Sequence, residues 1–171
     1  EGLVEAGLVR NIGVANFNVQ LLQHLRSVAR IQPQVNQVEL HPFLTQKQLV
    51  KYCETFGIIL TGFSPLGAGS YVSLDMAKQE ESVLSRPEVL HIAKRHSKSP
   101  AQVVLRWATL RGYSVVPKSS QVKRLEENIS IFDFALSEEE MALITALDCG
   151  RRYNDPGVFC VGMGACCPIF G

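Results

Sequence analysis

The chain has 171 residues, 46% of them apolar and 19% charged, a balance that excludes both a disordered segment and a membrane protein. Its formal net charge of +1 provides no basic field to hold nucleic acid and no acidic tail. Apolar runs such as Gly57 to Leu60 fall far short of the ~20 residues of a membrane-spanning helix, and no basic start precedes an apolar stretch, so a cytoplasmic setting is expected.

Taken in chain order, short β-branched runs alternate with amphipathic helical stretches, the pattern of parallel strands joined by crossover helices. Ile12 to Ala15 predicts the first strand. Asn18 then caps a helix whose apolar stripe is Leu21, Leu22, Leu25, Val28 and Ala29. Val35 to Leu40 predicts the second strand, and Thr45 with Gln48 forms a possible capping box for a helix carrying Leu49, Val50, Cys53 and Phe56, ended by Gly57. Ile58 to Phe63 predicts the third strand.

The first three strands start at equal intervals, but the interval to the fourth, Val115 to Pro117, is much longer and must hold extra structure. From Ala68 to Ser85 no period is visible, and a loop of that length in a compact domain is expected to cover a site as a flap over the strand ends. Pro87 to His96 and Pro100 to Arg111 predict two helices. Ser99 pairs with Gln102 in a capping box, Trp107 faces the core, and Gly112 stops the second helix. Ser137 with Glu140 caps a last helix. From Gly150 to Gly171 the chain is aperiodic and rich in Gly, Pro and Cys, an irregular tail.

Four strand-then-helix units make half of an eight-stranded barrel, and half a barrel cannot close. A doubly wound sheet would carry a glycine-rich turn after its first strand, which is absent. Gly67-Ala68-Gly69 lacks the further glycine or alanine of that fingerprint and is rejected. The five cysteines form no CxxC pair and the four histidines no H-x-x-x-H pair, so free thiols are expected and a metal site is not. Residue 1 is Glu inside a helix-like pattern, from which a longer parent chain is expected.

The strongest local signal is Val116-Pro-Lys-Ser-Ser-Gln-Val-Lys-Arg-Leu-Glu-Glu-Asn128, a strand end running into a helix start. Lys118, Ser119, Ser120 and Arg124 can surround a phosphate there, because a helix N-terminus is partly positive and a guanidinium presents paired donors. An ordinary solvated helix start uses the same residue types, and the spacing is compatible with both.

Four segments in order, RNIGVANFN (Arg10 to Asn18), VNQVELHPFL (Val35 to Leu44), GFSPLG (Gly62 to Gly67) and VPKSSQVKRLEEN, resemble motifs of the aldo-keto reductase family over residues 1 to 148. Within that family, RRYNDP (Arg151 to Pro156) is similar to the tail of the xylose reductase and hexose-6-phosphate reductase branch, although the tail's aromatic and acidic ending is replaced by CVGMGACCPIFG. The resemblance implies that residues 1–171 are one partial domain, the C-terminal half of a (β/α)8 TIM barrel. It also implies an NADPH-dependent reduction of aldehydes or aldoses to alcohols, with the missing N-terminal half-barrel as partner.

On that resemblance Asn16 and Gln37 would hold the nicotinamide carboxamide and Phe63 would stack on its ring. Ser64, Leu66 and Gly67 would lie along the pyrophosphate. Lys118 and Arg124, with Ser119 or Ser120, would clamp the adenosine 2′-phosphate, and Glu127 and Asn128 would face the adenine. Ala15 stands where the family commonly has Ser, which removes one hydrogen bond worth ~1 kcal/mol, and Phe63 replaces a common Tyr without loss of its stacking face.

On the same resemblance the family's catalytic Asp, Tyr, Lys and His would lie upstream of Glu1, so no catalytic residue is assigned, and this chain alone is expected to be inactive. His41 is expected to be structural, since it has no nucleophile to serve. An alternative of another class is a non-catalytic, NADPH-binding regulatory or interaction subunit. A third is a closed barrel rebuilt from two copies.

Overall fold

Several helices of this chain begin where a side chain accepts from the free N–H groups of the first turn or where a proline removes one of them, and these caps divide the fold. The computed structural model describes residues 1–72 and 74–159. In order they form α1 (Gly2–Glu5), β1 (Gly13–Ala15), α2 (Val19–Val28), β2 (Val35–Glu39), α3 (Lys47–Thr55), β3 (Ile59–Phe63) and α4 (Gly69–Val72). After two 3-10 turns, Gln79–Glu81 and Val83–Ser85, come α5 (Pro87–His96), α6 (Pro100–Leu110), β4 (Ser114–Val115), α7 (Val122–Ile129), α8 (Glu138–Thr145) and α9 (Pro156–Phe159).

The Asn18 side chain accepts the Leu21 N–H at 2.9 Å, and both the Ser99/Gln102 and Ser137/Glu140 capping boxes are formed. The expected Thr45/Gln48 box is not. Gln46, in a left-handed conformation (φ 54°), occupies the cap position of α3 without a side-chain bond. The buried Thr45 hydroxyl instead donates to the Asp148 carboxylate, a charged acceptor that makes a stronger bond than a backbone N–H can offer. β4 ends before Pro117, which has no N–H to continue a ladder.

The four strands are parallel in the order β1-β2-β3-β4, with Ala15 opposite Gln37, Glu39 opposite Phe63 and Gly62 opposite Val115. Alternation along the strands buries one face through Asn36, Val38 and Leu60, against a core that includes Leu22, Val50 and Val104. The opposite face is open: Gln37 is exposed and Ile59 is 56% exposed. Four parallel strands with flanking helices form the α/β half-barrel expected from the strand count.

Trp107 is fully buried, and its indole N–H donates to the Thr145 hydroxyl at 3.0 Å, pinning α6 to α8. Burial pushes the core Cys53 thiol up to about 11. Among the described residues no three His, Cys, Asp or Glu are grouped to hold a metal ion, and no helix is long and apolar enough to cross a membrane. Cys160, Cys166 and Cys167 lie outside the described residues.

Residues 68–72 and 74–85 are more regular than their sequence implies. Ala68, Tyr71 and Val83 are buried, so single hydrophobes tie successive short turns down where a periodic stripe is absent. In the tail, Tyr153 is likewise buried and α9 follows it.

A second polar pin joins α5 to α8. Burial would raise the Glu140 carboxyl, but the Ser137 N–H (2.9 Å), the His96 ring (2.9 Å) and Arg95 outweigh it and hold the group below its ordinary value. A depressed carboxylate stabilises the fold above its unfolded pKa and loses that contribution as pH falls through the folded value. Glu140→Gln therefore lowers the unfolding free energy at pH 7 by ~1–3 kcal/mol and flattens its decline below about pH 4.5, as urea titrations across that range will show.

Candidate dinucleotide site

A parallel sheet delivers the C-terminal ends of all its strands to one rim, and it is there that Asn16, Ser64 and Lys118 follow β1, β3 and β4. Asn16 (φ 60°) and Ser64 (φ 48°) both occupy the left-handed region immediately after their strands, a conformation uncommon in residues other than glycine and concentrated at functional sites. The turn at Asn16 is held by its own N–H on the Gln37 carbonyl (2.8 Å). It is also held by the buried Asn36, whose amide donates to the Phe17 carbonyl at 2.8 Å and accepts the Phe17 N–H at 3.4 Å. Asn36 was not among the expected site residues. Its signal is a polar side chain in register with Val38 and Leu40 on the apolar face of a strand.

Ser64, Leu66 and Gly67, from the turn after β3, line one cleft of about 670 Å³ together with Lys118, Ser119, Ser120 and Arg124 from the segment after β4. Gly67 has φ +70° and closes the turn by donating its N–H to the Ser64 carbonyl (2.9 Å), while Tyr153 and Val83 pack on its open side. Ser119 accepts the Gln121 N–H at 3.1 Å, which folds the chain into the start of α7. Lys118 and Arg124 are exposed, and among the described residues neither forms a salt bridge. Two unneutralised cations and two hydroxyls on one wall, with a tight glycine turn on the other, suit a ligand bearing more than one phosphate.

The remaining expected residues lie apart from this cleft. Asn16 borders a small cavity of about 40 Å³ beside Gln46 and Arg152, and Gln37 is exposed on the open sheet face. Phe63 is half-buried at the end of β3, opposite Glu39. Asn128 lines a separate apolar groove of about 700 Å³ along β4 with Leu125, Ile129 and Phe132, whereas Glu127 is half-buried and lines neither space.

His41 is fully buried, with Nε2 3.0 Å from the Glu39 carboxylate and its ring against Tyr153 at 5.1 Å, and it lines none of these spaces. Burial would raise the Glu39 carboxyl, but His41 and the N–H groups of Tyr153 and Asn154 overcome it and keep the group below its usual value.

Comparison with known proteins agrees with this architecture. The probable NAD(P)H-dependent D-xylose reductase of Arthroderma otae is 42% identical over 173 residues, covering 100% of this chain and 52% of that protein. The NAD(P)H-dependent pentose reductase of Pyricularia oryzae is 45% identical, with 88% of this chain and 46% of that protein covered. The aldose reductase of Schistosoma japonicum superposes with a TM-score of 0.78 at 40% identity, over 88% of this chain and 46% of that one. An aldo-keto reductase complexed with NADPH superposes with a TM-score of 0.82 at 33% identity, over 91% and 47% of the two chains. The chain thus spans about half the length of the curated relatives it matches. The Aldo/keto reductase family profile matches residues 1–148, so four parallel strands, their helices and these rim motifs together belong to a chain of the aldo/keto reductase family.

Proposed function

We propose that this chain forms the cofactor-holding half of an NADPH-dependent aldo-keto reductase that reduces aldehydes or aldoses to alcohols. The observation that carries the reading is the cleft itself, in which the turn after β3 faces Lys118, Ser119, Ser120 and Arg124. The donor set fits NADPH. Ser64, Leu66 and Gly67 would border its pyrophosphate, and Gly67 lets the backbone approach closely. Lys118 and Arg124, assisted by Ser119 or Ser120, would grip the monoester phosphate, with Glu127 and Asn128 toward the adenine. Asn16 and Gln37 would orient the carboxamide, and Phe63 offers an aromatic face to the ring. When bound, NADPH supplies the hydride.

These residues bind and orient, and none is assigned as the proton donor. That role falls to a preceding half of the same domain, for which the uncovered sheet face and the apolar groove along β4 offer a seat. Ile129 and Phe132 at that groove are 73% and 67% exposed. The substrate class follows the relatives named as pentose, xylose and aldose reductases. A cytoplasmic setting accompanies the reading and is in keeping with the free thiols of Cys53 and Cys149.

Titrating the full-length protein with NADPH and NADH by nucleotide fluorescence tests this. NADPH is expected to bind at least about tenfold tighter, the equivalent of one charge-assisted bond, and to support reduction of an aldose. Binding of neither nucleotide would overturn the proposal.

A further inference from the structure

Glu39 ends β2 on the open face of the sheet, where its neighbour Gln37 is exposed, yet its own side chain is 0% exposed. Burying a carboxylate is costly unless every oxygen finds donors, so the identity of those donors is informative. They are the N–H groups of Tyr153 (2.8 Å) and Asn154 (3.1 Å) and the His41 ring (3.0 Å), with the Arg152 guanidinium forming an ion pair at 3.8 Å. All but His41 come from one segment after α8. This set needs an acceptor with two oxygens and no N–H, which a glutamine does not provide.

Tyr153, seated by this carboxylate, reaches the glycine-turn wall of the cleft and the 79–81 turn beside it. Its ring stacks on Tyr71 at 5.5 Å and 14°, and the Tyr71 hydroxyl is 2.7 Å from the Ser64 hydroxyl. A Cβ on Gly67 would stand 3.5 Å from the Tyr153 ring. The Tyr153 hydroxyl donates to the Glu81 carbonyl at 2.7 Å, and Arg151 adds a salt bridge to the Glu81 side chain at 3.1 Å.

We infer that Glu39 is a positioning residue: by seating Tyr153 it holds the 64–67 turn and the 79–81 turn in one mutual arrangement. The consequence for the dinucleotide rests on the function proposed above; the coupling of the two turns does not.

Hydrogen exchange of the full-length protein without nucleotide tests the coupling. Glu39→Gln is expected to speed exchange about tenfold or more in peptides covering 64–72, 74–85 and 151–155, with α5 and α6 unchanged. Tyr153→Phe leaves the bonds to Glu39 intact and removes only the hydroxyl, so 74–85 alone is expected to loosen. Loosening confined to 151–155 in the first variant, equal loosening of α5 and α6, or no change at 74–85 in the second overturns the inference. In turnover, Glu39→Gln is expected to raise the KM for NADPH about tenfold with kcat preserved, and the reverse split would overturn the positioning role. Failure of the unsubstituted protein to bind NADPH would refute the proposed function and leave the exchange result standing.

Discussion

Lys118→Ala or Arg124→Ala in the full-length protein weakens NADPH binding by about tenfold to a hundredfold, the worth of ~1.5–3 kcal/mol for a hydrogen bond to a charged group, and leaves NADH binding nearly unchanged. Both side chains line the cleft that also holds Ser64 and Gly67, and neither is neutralised by a carboxylate among the described residues. The two nucleotides differ by one monoester phosphate, so a contact made only there appears in one affinity and not the other. The double variant falls short of the sum of the single losses, because both cations serve the same group. Arg124→Lys gives an intermediate loss: it keeps the charge but not the planar fork. Fluorescence titrations at one fixed salt concentration measure these effects, since exposed charges are screened. Equal losses for both nucleotides would refute the assignment of Lys118 and Arg124 to that phosphate.

Trp107→Ala destabilises the protein by ~3–5 kcal/mol, the largest single core effect expected. Trp107 is fully buried, its ring lies under the Arg111 guanidinium at 4.7 Å, and its N–H donates to Thr145. Truncation opens a cavity between α6 and α8 that the two helices cannot close without giving up neighbouring contacts. Trp107→Phe refills most of the space and costs less; the Thr145 hydroxyl still donates to the Met141 carbonyl at 2.7 Å. Because this is the sole tryptophan of the chain, urea unfolding has to be followed by far-UV circular dichroism instead of indole fluorescence. A loss below 1 kcal/mol would contradict the packing described for this site.

Local chemistry was legible in the sequence wherever the partners are neighbours along the chain. Asn18, Ser99 and Ser137 cap their helices because each acceptor lies within three residues of its donor. Thr45 misleads for the opposite reason, since the carboxylate that claims its hydroxyl lies 103 residues downstream. The same limit governs the site. Ser64 to Gly67 and Lys118 to Arg124 can each be recognised as a segment, but their meeting in one cleft depends on β3 and β4 being adjacent across a long insertion. Glu39 and Asn36 escaped because a polar residue in a strand reads as solvent-facing until the element that covers it is known.

The strands at the two borders of the sheet are its shortest, three residues in β1 and two in β4, against five in each of the central pair. So short a border offers few free amide groups to a passing chain and is a poor template for runaway lateral addition. Whatever adjoins β4 also meets water-averse side chains such as Ile129 and Phe132 beside it. Association along that border should accordingly tolerate high ionic strength and weaken on cooling, the thermal signature of oily contact.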